Sequence, residues 1–121
     1  MPEKNLKISN GVAEFFIFSK QAGEKGIEVR IQEETIWLSQ KLMAELFDCT
    51  TENIIMHLRG IFEDGELDEF ATTKDFLVVQ KEGSRNISRP IRHFNLDAII
   101  SVGYRVNSSK ATQFRIWATK T

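Results

Sequence analysis

The chain has 121 residues, 41% of them hydrophobic and 27% charged, which is enough to enclose one hydrophobic core without disulfides or metal. No apolar run nears the roughly 18 residues of a membrane span, the polar start at residues 1–10 carries no apolar leader, and Cys49 with His57 and His93 cannot fill a four-ligand zinc site; a cytoplasmic protein without metal, cofactor or membrane contact is expected. The net charge of −1 hides an asymmetry, with 7 Lys/Arg against 14 Asp/Glu through Thr73 and 9 against 3 from Lys74 onward, a pattern shown both by a domain with one basic face for phosphates and by a solvated face with no partner.

Residues 12–18 (VAEFFIF) are short and aromatic between Asn10-Gly11 and a polar stretch, which predicts a strand. Residues 27–31 alternate, with Ile27, Val29 and Ile31 on one face, and predict a second strand. A polar turn at residues 32–35 precedes Ile36-Trp37-Leu38. The N-terminal third is thus expected to be a small antiparallel sheet with its apolar side, anchored by Trp37, against helices.

Ser39 suits an N-cap, and Leu42, Met43, Leu46 and Phe47 follow at helical spacing, so a first helix runs to about Phe47. Asp48-Cys49-Thr50 breaks it. Thr50 or Thr51 caps a second helix, whose stripe is Ile54, Ile55, Leu58, Ile61 and Phe62. Residues 39–62 therefore read as a helix-turn-helix: Ala44 is the small residue at the crossing, Asp48 tolerates the left-handed turn, and Ile54 and Leu58 lock the second helix. An ordinary helical hairpin is the plainer reading of the same pattern.

With Ile54 and Leu58 inward, the second helix turns Thr51, Glu52, Ile55, Met56 and Arg59 outward, with Thr50 and Asn53 at its head. Arg59 suits guanine or a phosphate, Asn53 adenine if it rotates toward the groove, Thr51 a phosphate, Met56 a thymine methyl and Glu52 cytosine. His57 falls where a partly buried histidine is expected. An acidic loop at residues 63–69 follows; as a calcium loop begun at Asp64 it fails, because Glu69 stands where glycine is needed.

Residues 76–79 and 91–94 are apolar strand candidates around a polar stretch, which predicts a hairpin over 76–94 with a long tip. Lys81, Arg85, Arg89 and Arg92 lie there beside Glu82. This resembles a basic wing that reaches phosphates or the minor groove; a solvated hairpin whose cations guard a sheet edge is the alternative. Asn95 caps a helix through Leu96, Ile99 and Val102, and a last helix at about 109–120 carries Phe114 and Trp117, together making a C-terminal helical region over 95–121.

The stretch IEVRIQEETIWLSQKLMAELFDCTTENIIMHLRGIFEDGEL at 27–67, with FNLDAIISVGYRVNSSKATQFRIWATK at 94–120, closely resembles the N-terminal region of the RhuM-like virulence-associated proteins of bacteria, over roughly the last three quarters of the chain. The run Tyr104, Arg105, Val106, Ser109, Phe114, Arg115 and Trp117 looks distantly like the end of the DNA-binding domains at the front of phage antirepressors. The resemblance implies a DNA-binding module ahead of a separate C-terminal region, with no reaction to carry over.

The expected fold class is α+β: a single winged-helix-like domain over 1–121, with a strand region at 1–26, forming the N-terminal part of a longer protein. Trp37, Leu42, Leu46, Ile54, Leu58, Phe94, Ile99 and Trp117 are expected in its core. There is no nucleophile elbow, phosphate-cradling glycine loop or His-rich metal motif, so no enzyme and no small-molecule substrate is expected. The expected partner is duplex DNA, in transcriptional or mobile-element regulation, against the alternative of a protein-interaction module. One positive charge on the second helix suggests two copies on half-sites about 34 Å apart, joined through Phe16 or Phe18 or through the last helix.

Overall fold

Ser39 ends a strand and starts a helix. Its backbone is extended (φ −75°, ψ 168°) and its Oγ accepts the Leu42 N–H at 3.2 Å, satisfying one of the donors that a helix start leaves open. In a computed structural model that describes residues 30–33 and 35–120, the elements run β1 (Arg30–Gln32), β2 (Thr35–Ser39), α1 (Gln40–Phe47), α2 (Thr51–Glu63), α3 (Glu69–Thr72), β3 (Thr73–Glu82), β4 (Arg85–Asn95), α4 (Leu96–Arg105) and α5 (Ser109–Lys120). The described residues thus form five helices and one antiparallel sheet in the order β1-β2-β4-β3, an α+β fold. None of these helices is long and apolar enough to cross a membrane. The strand read at 12–18 lies outside the described residues.

The turn between α1 and α2 forms as its residues require. Asp48 adopts the left-handed conformation (φ 53°, ψ 56°), and the Cys49 N–H donates back to the Ala44 carbonyl at 3.0 Å, closing α1. Thr50 is extended and its Oγ1 accepts the Asn53 N–H at 3.1 Å, opening α2. Ile54, Leu58 and Ile61 then bury the inner face of α2.

One face of the sheet, carrying Ile36, Leu38 and Phe94, closes the core with Met43, Leu46 and Phe47 of α1, Ile99 and Val102 of α4, and Phe114 of α5. Phe47 and Phe114 meet edge to face at 5.0 Å. A Cβ on Gly103 would stand 2.5 Å from the Phe114 ring, so only glycine lets α5 lie this close to α4. Arg115 ties the same two helices by donating to the carbonyls of Gly103 (3.0 Å) and Val106 (2.8 Å) at the end of α4.

The sequence reading needs correction in several places. Trp37 is buried, but its side chain lies on the sheet face away from the helices, edge to face with Phe76 at 5.6 Å; Phe76 meets His93 likewise at 5.1 Å, and the Arg30 guanidinium sits 4.7 Å from the Phe76 ring centre. The pleat requires this, because Leu38 and Phe94 take the helical side and their neighbours must take the other. Ile31 is 47% exposed rather than inward. Leu42 and Trp117 are half-buried against the core instead of fully inside it. The expected N-terminal sheet and the later hairpin are one sheet, since β2 pairs with β4 through Leu38 and Phe94.

The hairpin differs most. Its strands run from Thr73 to Asn95 and join through a two-residue turn, Gly83-Ser84, with Gly83 at φ 62° where a side chain is disfavoured. There is no long tip. β2 reaches β4 only from His93 onward, so the rest of β3 and β4 projects from the sheet as a two-stranded ribbon. The acidic stretch leads into a short helix, α3, capped by Asp68 accepting the Ala71 N–H at 3.0 Å.

Candidate functional site

On α2, Glu52, Met56 and Arg59 are exposed, Met56 by 56%, while Thr51 and Ile55 are half-covered. The exposed Thr50 uses its hydroxyl oxygen as the cap acceptor, which leaves its proton to donate. Asn53 points partly inward: its Oδ1 is buried with no hydrogen-bond partner among the described residues, so it would have to rotate to meet a base. His57 is half-buried beside Arg105; burial first, and that positive charge second, lower its pKa.

The four hairpin cations do not share a face. Direct partners across an antiparallel pair lie on the same side, and Val78 faces Arg89, Glu82 faces Arg85, Lys81 faces Asn86 and Asp75 faces Arg92. Arg85 and Arg89 therefore stand on the Trp37 side of the ribbon, and Lys81 and Arg92 on the helical side. All four are exposed. Arg89 is held by both carboxylate oxygens of Glu82 (Nη2 to Oε2 2.9 Å), and Arg92 by Glu69 at 3.0 Å and Asp75 at 3.8 Å. Lys81 and Arg85 have no ion pair among the described residues.

Part of the charge asymmetry along the chain folds back on itself. Lys74 pairs with Glu33, Arg92 with Glu69, and Arg105 with Asp64 (3.2 Å) and Glu66 (2.9 Å), each joining the basic second part to the acidic first part. The two carboxylates raise the pKa of Arg105. Arg115 serves the end of α4, and Tyr104 Oη lies 3.3 Å from the Thr119 hydroxyl. Tyr104, Arg105, Phe114 and Arg115 are thus packing and latching residues.

The ribbon and the heads of two helices nonetheless border one cleft of about 930 Å³. Val79, Pro90 and Arg92 line one side, Ser39, Lys41, Leu42 and Glu45 the other, and Thr51 stands where α2 begins. Arg30 and Lys41 join Arg92 there as further cations. Sequence reasoning missed these two because nothing local connects them to residue 92; the cleft exists only once β2 and β4 pair.

Residues 71–121 match the model described as Virulence protein RhuM family, which supports assigning the chain to a RhuM-like family. The match spans the ribbon, α4 and α5. The similarity read at 27–67 lies outside it. No curated protein matches the chain, and no solved structure does.

Proposed function

We propose that the chain binds duplex DNA, with α1 and α2 acting as a helix-turn-helix and the β3–β4 ribbon as its wing, in a regulatory role for transcription or a mobile element. The carrying observation is the shared cleft: Thr51 at the head of α2 and Arg92 on the ribbon border one opening, so a duplex against α2 lies within reach of the ribbon. In this reading α2 enters the major groove. Arg59 addresses guanine or phosphate, Met56 a thymine methyl, and Thr50 and Thr51 a phosphate near the helix start. The two-faced ribbon suits a minor groove, whose phosphates line both walls, with Arg85 toward one and Lys81 toward the other.

The test is fluorescence anisotropy with duplexes selected from a random pool, measured across salt concentrations. If four phosphate contacts form, the log-log slope is about −3.6. Arg85→Ala should weaken binding to every sequence and flatten that slope by about 0.9. Arg89→Ala should cost less, because Glu82 already holds that guanidinium. Arg59→Ala should cost about 1–3 kcal/mol at one base position and relax preference there. Binding indifferent to Arg85 removes the ribbon from the interface, and absence of any salt-dependent binding overturns the DNA reading in favour of a protein-interaction module.

A further inference from the structure

Among the described residues β3 is an edge strand of ten residues, and its outer side is bare: Leu77 is 69% and Val79 66% exposed. The Gly83-Ser84 turn dictates which backbone groups face outward. Glu82 and Arg85, flanking a two-residue loop, must exchange both their hydrogen bonds, and so must every second residue back along β3. Lys81, Val79, Leu77 and Asp75 therefore turn their N–H and C=O groups away from β4, where no other described strand pairs with them.

We infer that this edge pairs with the same edge of a second copy of the chain, antiparallel, about a two-fold axis through Val78. Pairing must match faces, so the axis passes through a residue rather than between two. Centred on Val78, Leu77 of one copy meets Val79 of the other, Asp75 meets Lys81, and Lys74 meets Glu82, each twice by symmetry. At 77/79 apolar meets apolar and at 75/81 and 74/82 each charge meets its opposite, while Phe76 meets Gln80, and Lys74, Asp75 and Glu82 also keep partners within their own chain. The outward backbone groups of Leu77, Val79, Asp75 and Lys81 fall in the hydrogen-bonded positions. Moving the centre to Leu77 sets Asp75 against Val79, and moving it to Val79 sets Leu77 against Lys81. Charge thus selects one register.

Lysines on an edge usually repel unwanted strands. Here Lys74 and Lys81 are balanced by Asp75 and Glu82 in mirror order, so the edge is neutral and complementary to itself. Two four-stranded sheets would join into one of eight strands, independently of whether the chain binds DNA.

Sedimentation equilibrium of the whole chain is the test. Wild type is expected to show concentration-dependent mass rising toward twice the 13.9 kDa chain. Asp75→Lys alone sets a new lysine against Lys81 of the other copy, and Lys81→Asp alone sets a new aspartate against Asp75, so each variant should be monomeric. An equimolar mixture of the two should recover the dimer, because only the mixed pair restores opposite charges at both positions. Val79→Pro removes one outward N–H while sparing the bonds to β4, and should be monomeric with an unchanged circular dichroism spectrum. A wild type that stays monomeric near 100 μM, single variants that dimerise as well as wild type, or a mixture that does not recover the dimer would overturn the inference.

Discussion

His93 illustrates what one buried polar side chain asks of its surroundings. It is 4% exposed, between Phe76 and the strand backbone, with Nδ1 2.8 Å from the Ile91 carbonyl oxygen. Burial is the main influence and lowers its pKa; Arg30 acts in the same direction, while the Ile91 carbonyl and Asp75 oppose it. The folded state therefore holds a neutral ring, and the unfolded chain binds the extra proton once pH falls through the ordinary imidazole value of about 6.5. Stability should be fully present above that value and decline below it, with His57, shifted the same way, contributing. Urea unfolding midpoints at pH 7.5 and 5.5 should differ in wild type and differ less in His93→Gln; equal midpoints in wild type would contradict this account. Gly103 makes a sharper demand. Its α4 position has no room for a methyl group between Phe114 and Phe47, so Gly103→Ala should destabilise by about 1–3 kcal/mol in the same assay despite alanine's better helix propensity.

At the scale of elements, α1, α2, α4 and α5 were legible because their signals are local: Ser39, Thr50 and Asn95 are caps, and apolar residues recur on one side of the first three. Asp48 adopts the backbone its type suggests, at some cost, since even aspartate is less at ease there than glycine. Asp48→Gly should therefore raise the thermal midpoint, whereas Asp48→Val should lower stability by roughly 1 kcal/mol or more; a stabilising valine would refute the conformational argument. The ribbon was less legible. Its outer residues are exposed on both faces, so alternation between polar and apolar fades after Val79 and the strand resembles a loop. The helix α3 is four residues long at the end of an acidic run, too short to show a period. At the candidate site, the exposed positions of α2 could be read from spacing. The division of the ribbon cations between two faces could not, because it depends on a turn of two residues rather than a long tip.

For the whole molecule, the pairing of β2 with β4 has the widest effect, since it creates both the common sheet and the cleft. Its partners are nearly sixty residues apart, with three helices and β3 between them, and no local pattern announces it. It also imposes an order on synthesis. Residues 1–73 carry twice as many acids as bases, and when they have been made Ile36 and Leu38 have helices to lean on but no β4 beside them. The partners of Glu33, Glu69, Asp64 and Glu66 come later, at Lys74, Arg92 and Arg105. The core side of the sheet closes only when Phe94 arrives, so the second part of the chain completes the first rather than folding beside it.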